Sequence, residues 1–163
     1  MITKISKALL MLLAVALMVL TVSCDPSKKY ERQEKDKIDT YLKENSDLDF
    51  VKQPSGLYYL EVEAGTGLSP FPGDSAYVNY IGKFLDGTVF DSNVTQGMLY
   101  GFIVGQNIVG FDEGVTKMKE GGKSTLLIPS SLGYGTFGTY TIPGYTPLLF
   151  DIELVKVVPA VSE

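Results

Sequence analysis

The sequence predicts an α+β domain in which an antiparallel sheet has one face covered by a single short helix. Two observations predict it. Six short apolar or alternating runs are separated by turn-forming residues, and only one segment between them carries helical spacing. The composition agrees: 17 Gly, eight Pro, ten Tyr and eight Phe in 163 residues favour short strands and tight turns over a helical bundle.

In chain order the predicted strands are 57–62, 75–85, 88–90, 99–104, 123–129 and 148–157. Gly65-Thr66-Gly67, residues 70–74 and Asp86-Gly87 punctuate them. Asp-Gly between two apolar runs is a strong hairpin signal, because the glycine supplies the positive φ that a tight turn needs. The helix is predicted between Gly110 and Gly121-Gly122, about ten residues long, where Phe111, Val115 and Met118 recur on one face. No internal repeat is visible.

Ahead of this body stand two segments of different character. Residues 1–23 read as a signal peptide: Lys4 and Lys7 precede an apolar run over 8–22 broken only by Thr21. That run is shorter than the roughly 20 apolar residues a membrane span needs. The stretch Leu20-Thr21-Val22-Ser23-Cys24 resembles a bacterial lipobox, which implies cleavage before Cys24 and its lipidation; several acyl chains hold a membrane where one holds only marginally. An ordinary secreted protein with one unpaired thiol is the alternative. Residues 24–53 are polar and charge-rich and read as a tether. Ile38, Tyr41 and Leu42 fall at i, i+3 and i+4, so both a solvated spacer and a short amphipathic helix docked on the body or on a second copy stay open. The folded domain is then 54–163, and a chain beginning near Asp47 carries every pocket residue named below.

Composition also excludes chemistries. Histidine is absent and there is one cysteine, so a His-based triad or a His/Cys zinc site cannot be built. No acidic loop of calcium-binding pattern is present. A net charge of −5 gives no electrostatic reason to expect nucleic acid, whose phosphates call for clustered Lys and Arg.

Three blocks of motifs follow in order. The first is Val78-Asn79-Tyr80-Ile81-Gly82 leading through Leu85-Asp86-Gly87 to Val89-Phe90-Asp91-Ser92. The second is Gly110-Phe111-Asp112-Glu113-Gly114-Val115 with Met118 and Lys123. The third is Leu127-Ile128-Pro129, Tyr134-Gly135, Ile142-Pro143 and Leu148-Leu149-Phe150-Asp151-Ile152-Glu153-Leu154. This ordered set resembles the FKBP-type peptidyl-prolyl cis-trans isomerase family across about 56–157. The resemblance implies an FKBP-like half-barrel, an antiparallel twisted sheet wrapped on one short α-helix. It implies rotation of X-Pro bonds with no cofactor, metal or covalent intermediate.

Carried over position by position, the resemblance makes Asp91, Tyr134 and Phe90 catalytic, and Tyr80, Tyr100, Ile108, Phe111, Ile142 and Phe150 substrate-binding. It implies proline-containing unfolded or exported polypeptides as partners, with macrolides of the tacrolimus or rapamycin type as possible inhibitors. With the lipobox it implies a lipid-anchored protein of the bacterial cell envelope, on its periplasmic or surface side. Without the family order, Phe150 and Ile152 could simply alternate inward along a strand, and Asp91-Ser92 could fix a turn. The chain departs from the family's pattern in three places. Phe111 stands for the usual Trp, Gly144 for the second Pro of an Ile-Pro-Pro turn, and the 105–111 stretch is about two residues short. An FKBP-fold chaperone or binding module with weak or no turnover therefore remains the alternative.

Overall fold

The computed structural model describes residues 26–161; residues 1–23, expected to be a signal peptide, and Cys24 lie outside the described residues. The elements are α1 (Pro26–Glu44), β1 (Val51–Lys52), β2 (Tyr58–Glu63), β3 (Ser75–Lys83), β4 (Val89–Ser92), β5 (Tyr100–Ile103), α2 (Val109–Thr116), β6 (Lys123–Ile128) and β7 (Leu148–Val158). Single 3-10 turns occur at Val94–Gln96 and Ser130–Leu132. None of the described helices is long and apolar enough to cross a membrane.

All strand pairings are antiparallel, in the order β1-β2-β6-β7-β3-β4, with β5 also on β3. β3 is the hub. One of its edges pairs with β7 along its whole length, and the other is shared, Ser75–Val78 with β5 and Ile81–Lys83 with β4. The expected hairpin joins β3 to β4: Gly87 has φ +85°, and Asp86 Oδ1 accepts the Thr88 N–H at 2.9 Å.

α2 lies directly on β6 because its glycines let it. A Cβ on Gly114 would sit 2.3 Å from Leu126 Cδ1, and one on Gly110 would sit 2.5 Å from Ile128 Cγ2. Phe111, Val115 and the following Met118 then enter the main core with Val78, Leu126, Ile128, Leu148, Phe150, Ile152 and Leu154. The helix is shorter than the spacing predicts, because Lys117 and Met118 already bond three residues back and tighten its end.

The segment 26–44 is the main departure from a one-helix architecture. It is a 19-residue helix, not a spacer, and it buries Ile38 and Glu34. Ile38, with Tyr41 and Leu42, packs on Leu127 and Leu149, whose side chains point away from the main core because side chains alternate along a strand. β6 and β7 are therefore covered on both faces. This is why Leu126-Leu127-Ile128 and Leu148-Leu149-Phe150 are unbroken apolar runs, a pattern that antiparallel strands with one wet face do not need.

Candidate active site

The pocket begins with a missing side chain. Along β3, Ala76, Val78, Tyr80 and Gly82 point the same way, and Gly82 is opposite Phe150 of β7 and Asp91 of β4. With no Cβ at 82, the Phe90 and Phe150 rings fill that space, edge to face at 5.6 Å. A Cβ there would lie 2.7 Å from Phe90 Cζ and 3.1 Å from a Phe150 ring carbon. From α2, Phe111 closes the floor, edge-on to Phe150 at 5.3 Å and to Tyr80 at 6.3 Å. Tyr100 of β5 meets Tyr80 at 5.5 Å and stacks on Phe102 at 5.3 Å.

These rings leave a cavity of about 230 Å³ lined by Tyr80, Phe90, Asp91, Tyr100, Asn107, Ile108, Phe111, Tyr134 and Phe150. Of the residues the sequence nominates, only Ile142 is absent from the lining; it is buried in the main core beside the pocket. Asn107 is an addition.

Polar groups form the rim. The Tyr80 hydroxyl donates to Asp91 Oδ2 at 2.6 Å. Burial, then that bond and the Asp91 charge, push the Tyr80 phenol well above its ordinary value. Burial pushes the Tyr134 phenol up as well, with Asp91 and Tyr100 contributing. Tyr134 is 36% exposed, and among the described residues its hydroxyl has no hydrogen-bond partner. Ile108 is the N-cap of α2, and its carbonyl accepts the N–H groups of Phe111 and Asp112. Its own N–H has no acceptor among the described residues. The rim thus offers an O–H and an N–H donor next to an aromatic floor.

Two polar networks hold this rim, and neither is visible as a sequence pattern. Asp112, in the first turn of α2, accepts the Asn107 N–H at 2.8 Å, and Asn107 Oδ1 accepts the Tyr100 hydroxyl at 2.9 Å. An acidic residue early in a helix is the one available hint. Buried Asn93 accepts the Tyr80 N–H at 2.7 Å and donates to the carbonyls of Val78 and Met98 at 3.0 and 2.9 Å. It ties β4 and the approach to β5 onto β3 and so fixes Asp91 and Tyr100 relative to Tyr80.

Gly144 also has a local reason. The chain from Tyr134 to Ile142 folds back on itself, with Gly138 bridged to Pro143, and a Cβ on Gly144 would fall 2.0 Å from the Thr136 carbonyl oxygen. A proline cannot occupy that position on this path. Phe137 and Tyr140, near the tip, are fully exposed.

Such a sheet, helix and aromatic cavity define a class: the model of the FKBP-type peptidyl-prolyl cis-trans isomerase family matches residues 67–155, and the chain belongs to that family. Among particular relatives, the isomerase FkpA of Escherichia coli K12 is 43% identical over 106 residues, covering 65% of this chain and 39% of that protein. The crystal structure of Escherichia coli FkpA superposes with a TM-score of 0.71 at 32% identity, over 93% of this chain and 73% of that one. A peptidyl-prolyl cis-trans isomerase from Pseudomonas syringae pv. tomato gives 0.73 at 27% identity, over 84% and 99%. The chain spans about 40% of the length of the first curated relatives it matches.

Proposed function

We propose that the chain is a peptidyl-prolyl cis-trans isomerase that assists the folding of exported proteins. The observation that carries this reading is the aromatic cavity with two uncommitted donors, the Tyr134 hydroxyl and the Ile108 N–H, at its rim. Rotation about an X-Pro bond destroys amide resonance and has a barrier of about 18–20 kcal/mol. Lowering it by about 5.5 kcal/mol accelerates rotation roughly ten-thousand-fold. No bond needs to form. A site that fits the twisted amide better than either planar form is sufficient.

Phe90, Phe111 and Phe150 supply an apolar floor for the proline ring and exclude water. Tyr134 and the Ile108 N–H hydrogen-bond the flanking carbonyls, and Asp91, held by Tyr80, presents fixed negative charge to the twisting bond. Tyr100 closes one side. Ile142 supports the pocket from within the core rather than lining it. Substrates are unfolded or exported polypeptides containing proline, and macrolides of the tacrolimus or rapamycin type are the inhibitors expected to compete for the same site. The lipobox pattern supports anchoring through Cys24 to a membrane of the bacterial envelope, on the periplasmic or surface side.

The test is catalysis of a proline-limited refolding reaction and of a short Xaa-Pro peptide by the full chain. Tyr134→Phe should lower kcat/KM modestly and Phe150→Ala more, both compared as folded proteins. Binding of unfolded chains without acceleration of either reaction would instead identify a binding module, a reading that the exposed Phe137 and Tyr140 favour. For the anchor, Cys24→Ser should leave uncleaved precursor or a poorly membrane-associated protein. Normal recovery of a detergent-dependent mature form would overturn it.

A further inference from the structure

We propose that α1 is a working part of the pocket: Glu34 and Tyr30 grip the two ends of the segment that carries Tyr134, which makes Glu34 a positioning residue for isomerisation. The inference rests on the function proposed above and goes beyond it, since it assigns a role to a helix outside the 67–155 family match.

Between β6 and β7 the chain runs through residues 129–147 with one 3-10 turn and an isolated bridge as its only regular structure. Tyr134 must therefore be held by contacts made outside the sheet. At the outgoing end, buried Glu34 accepts the Ser130 N–H at 2.5 Å and the Ser130 hydroxyl at 2.7 Å, one carboxylate oxygen each. At the returning end, the Tyr30 ring stacks on Tyr145 at 5.3 Å and 23°. Tyr145 has φ 55°, a left-handed conformation that a non-glycine residue keeps only when its surroundings impose it.

Both grips converge on one residue, Gly135. The Ser130 carbonyl accepts the Gly135 N–H at 2.8 Å, and the Gly135 carbonyl accepts the Tyr145 N–H at 3.0 Å. Gly135 directly follows Tyr134. A shift at either end is thus passed through one residue to the pocket hydroxyl.

The helix face is divided accordingly. Residues 30, 34, 38, 41 and 42 share one side of α1. Ile38, Tyr41 and Leu42 cover the sheet, which is enough to dock the helix. Glu34 and Tyr30, one and two turns earlier, address the loop instead. Docking alone gives no reason for a buried carboxylate: Glu34 has no ion-pair partner among the described residues, and both its bonds go to Ser130. Charge-assisted bonds to a backbone N–H and a hydroxyl fix position more strictly than an apolar contact does.

The test uses the full chain. Glu34→Ala and Glu34→Gln are compared with Lys35→Ala, a control on the exposed face of the same helix. Three quantities are read: kcat and KM on a short Xaa-Pro peptide, amide exchange at Ser130 and Gly135, and unfolding in denaturant. Both Glu34 variants should lose about tenfold in kcat/KM, equivalent to about 1.4 kcal/mol of transition-state stabilisation. The loss should fall on kcat rather than KM. Exchange at Ser130 and Gly135 should rise while the β3 and β7 amides stay protected, and Lys35→Ala should match the parent. Ser130→Ala, which keeps the N–H contact, should lose less, and should add nothing in the Glu34→Ala background.

Glu34 variants within twofold of an active parent would overturn the proposal, as would losses that merely follow global unfolding. An inactive parent would sink the proposed isomerase itself, and this role with it.

Discussion

Tyr80 and Asp91 meet diagonally across β3 and β4: Asp91 is opposite Gly82 in register, and the Tyr80 phenol reaches over to donate to its carboxylate at 2.6 Å. The pair is half solvated, so it contributes orientation more than stability. Tyr80→Phe keeps the ring contacts to Tyr100, Phe111 and Phe150 and removes only the donor. Denaturant unfolding should show a loss of about 1 kcal/mol or less. The peptide assay should show a several-fold fall in kcat/KM, because the carboxylate is no longer aimed. A large stability loss with unchanged specific activity would place the bond in the scaffold instead.

Gly82 is the position where fold and pocket compete for space. Gly82→Ala puts a methyl carbon 2.7 Å from Phe90 and forces that ring outward, since the β3 and β7 backbones behind it are paired throughout. Overpacking of this kind costs about 1–3 kcal/mol. Activity should fall by more than tenfold even at temperatures where circular dichroism shows the variant folded, because Phe90 and Phe150 line the cavity. Retained activity would mean that the pocket tolerates a displaced Phe90.

The parts of the fold that are periodic were legible in the sequence. Alternation along 75–83 and 150–154, the Asp86-Gly87 turn and the Phe111-Val115-Met118 spacing each encode a local geometry that tertiary contacts do not override. The pocket aromatics were legible only through the order of motifs, since a buried ring looks the same in a core and in a site. What stayed hidden was polar and long-range. Asn93 and Asn107 act through single hydrogen bonds that have no period, and Glu34 lies 96 residues from Ser130. α1 is mostly charged, so its helical state depends on the sheet it covers. The consecutive leucines at 126–127 and 148–149 carry the mark of a second covered face, which the expectation of a sheet with a single helix passed over.

Activity should be independent of pH over a wide range. Amide rotation needs no proton transfer, and the chain has no histidine to titrate near neutrality. The two rim phenols, Tyr80 and Tyr134, are raised from an ordinary value of 10.0, so both stay protonated well past neutrality. Their folded-state values exceed the unfolded ones, so the stability linked to them is complete below pH 10 and declines as pH rises beyond it. The carboxyls of Asp74 and Asp86 are lowered by backbone N–H donors, Phe71 first and Ala160 second for Asp74, and Thr88 for Asp86. Their contribution is present above the ordinary carboxylate range near 4 and is lost as pH falls through the folded values. A series of kcat/KM measurements should therefore be flat from about pH 5.5 to 9.5, with both limbs coinciding with loss of structure. A bell-shaped profile in a folded sample would show that a carboxylate titrates during turnover.

Removing α1 should expose the second face of the sheet. In a chain beginning at Asp47, Leu127 and Leu149 lose their cover of Ile38, Tyr41 and Leu42, and Ser130 loses the acceptor for its N–H and hydroxyl. Phe50 and Tyr58, which border the same patch, become continuous with it. A contiguous apolar patch on a sheet invites association, so sedimentation velocity should show concentration-dependent dimers or larger species for the truncated chain and not for the parent. The single substitution Ile38→Ala isolates the packing component. Ile38 is 5% exposed and touches both leucines, and truncating such a side chain to alanine costs about 2–4 kcal/mol. The main core around α2 shares no residue with this cluster, so the near-ultraviolet signal of the pocket tyrosines should persist in Ile38→Ala at temperatures below its lowered midpoint. A truncated chain that stays monomeric and as stable as the parent would show that the sheet does not need this helix.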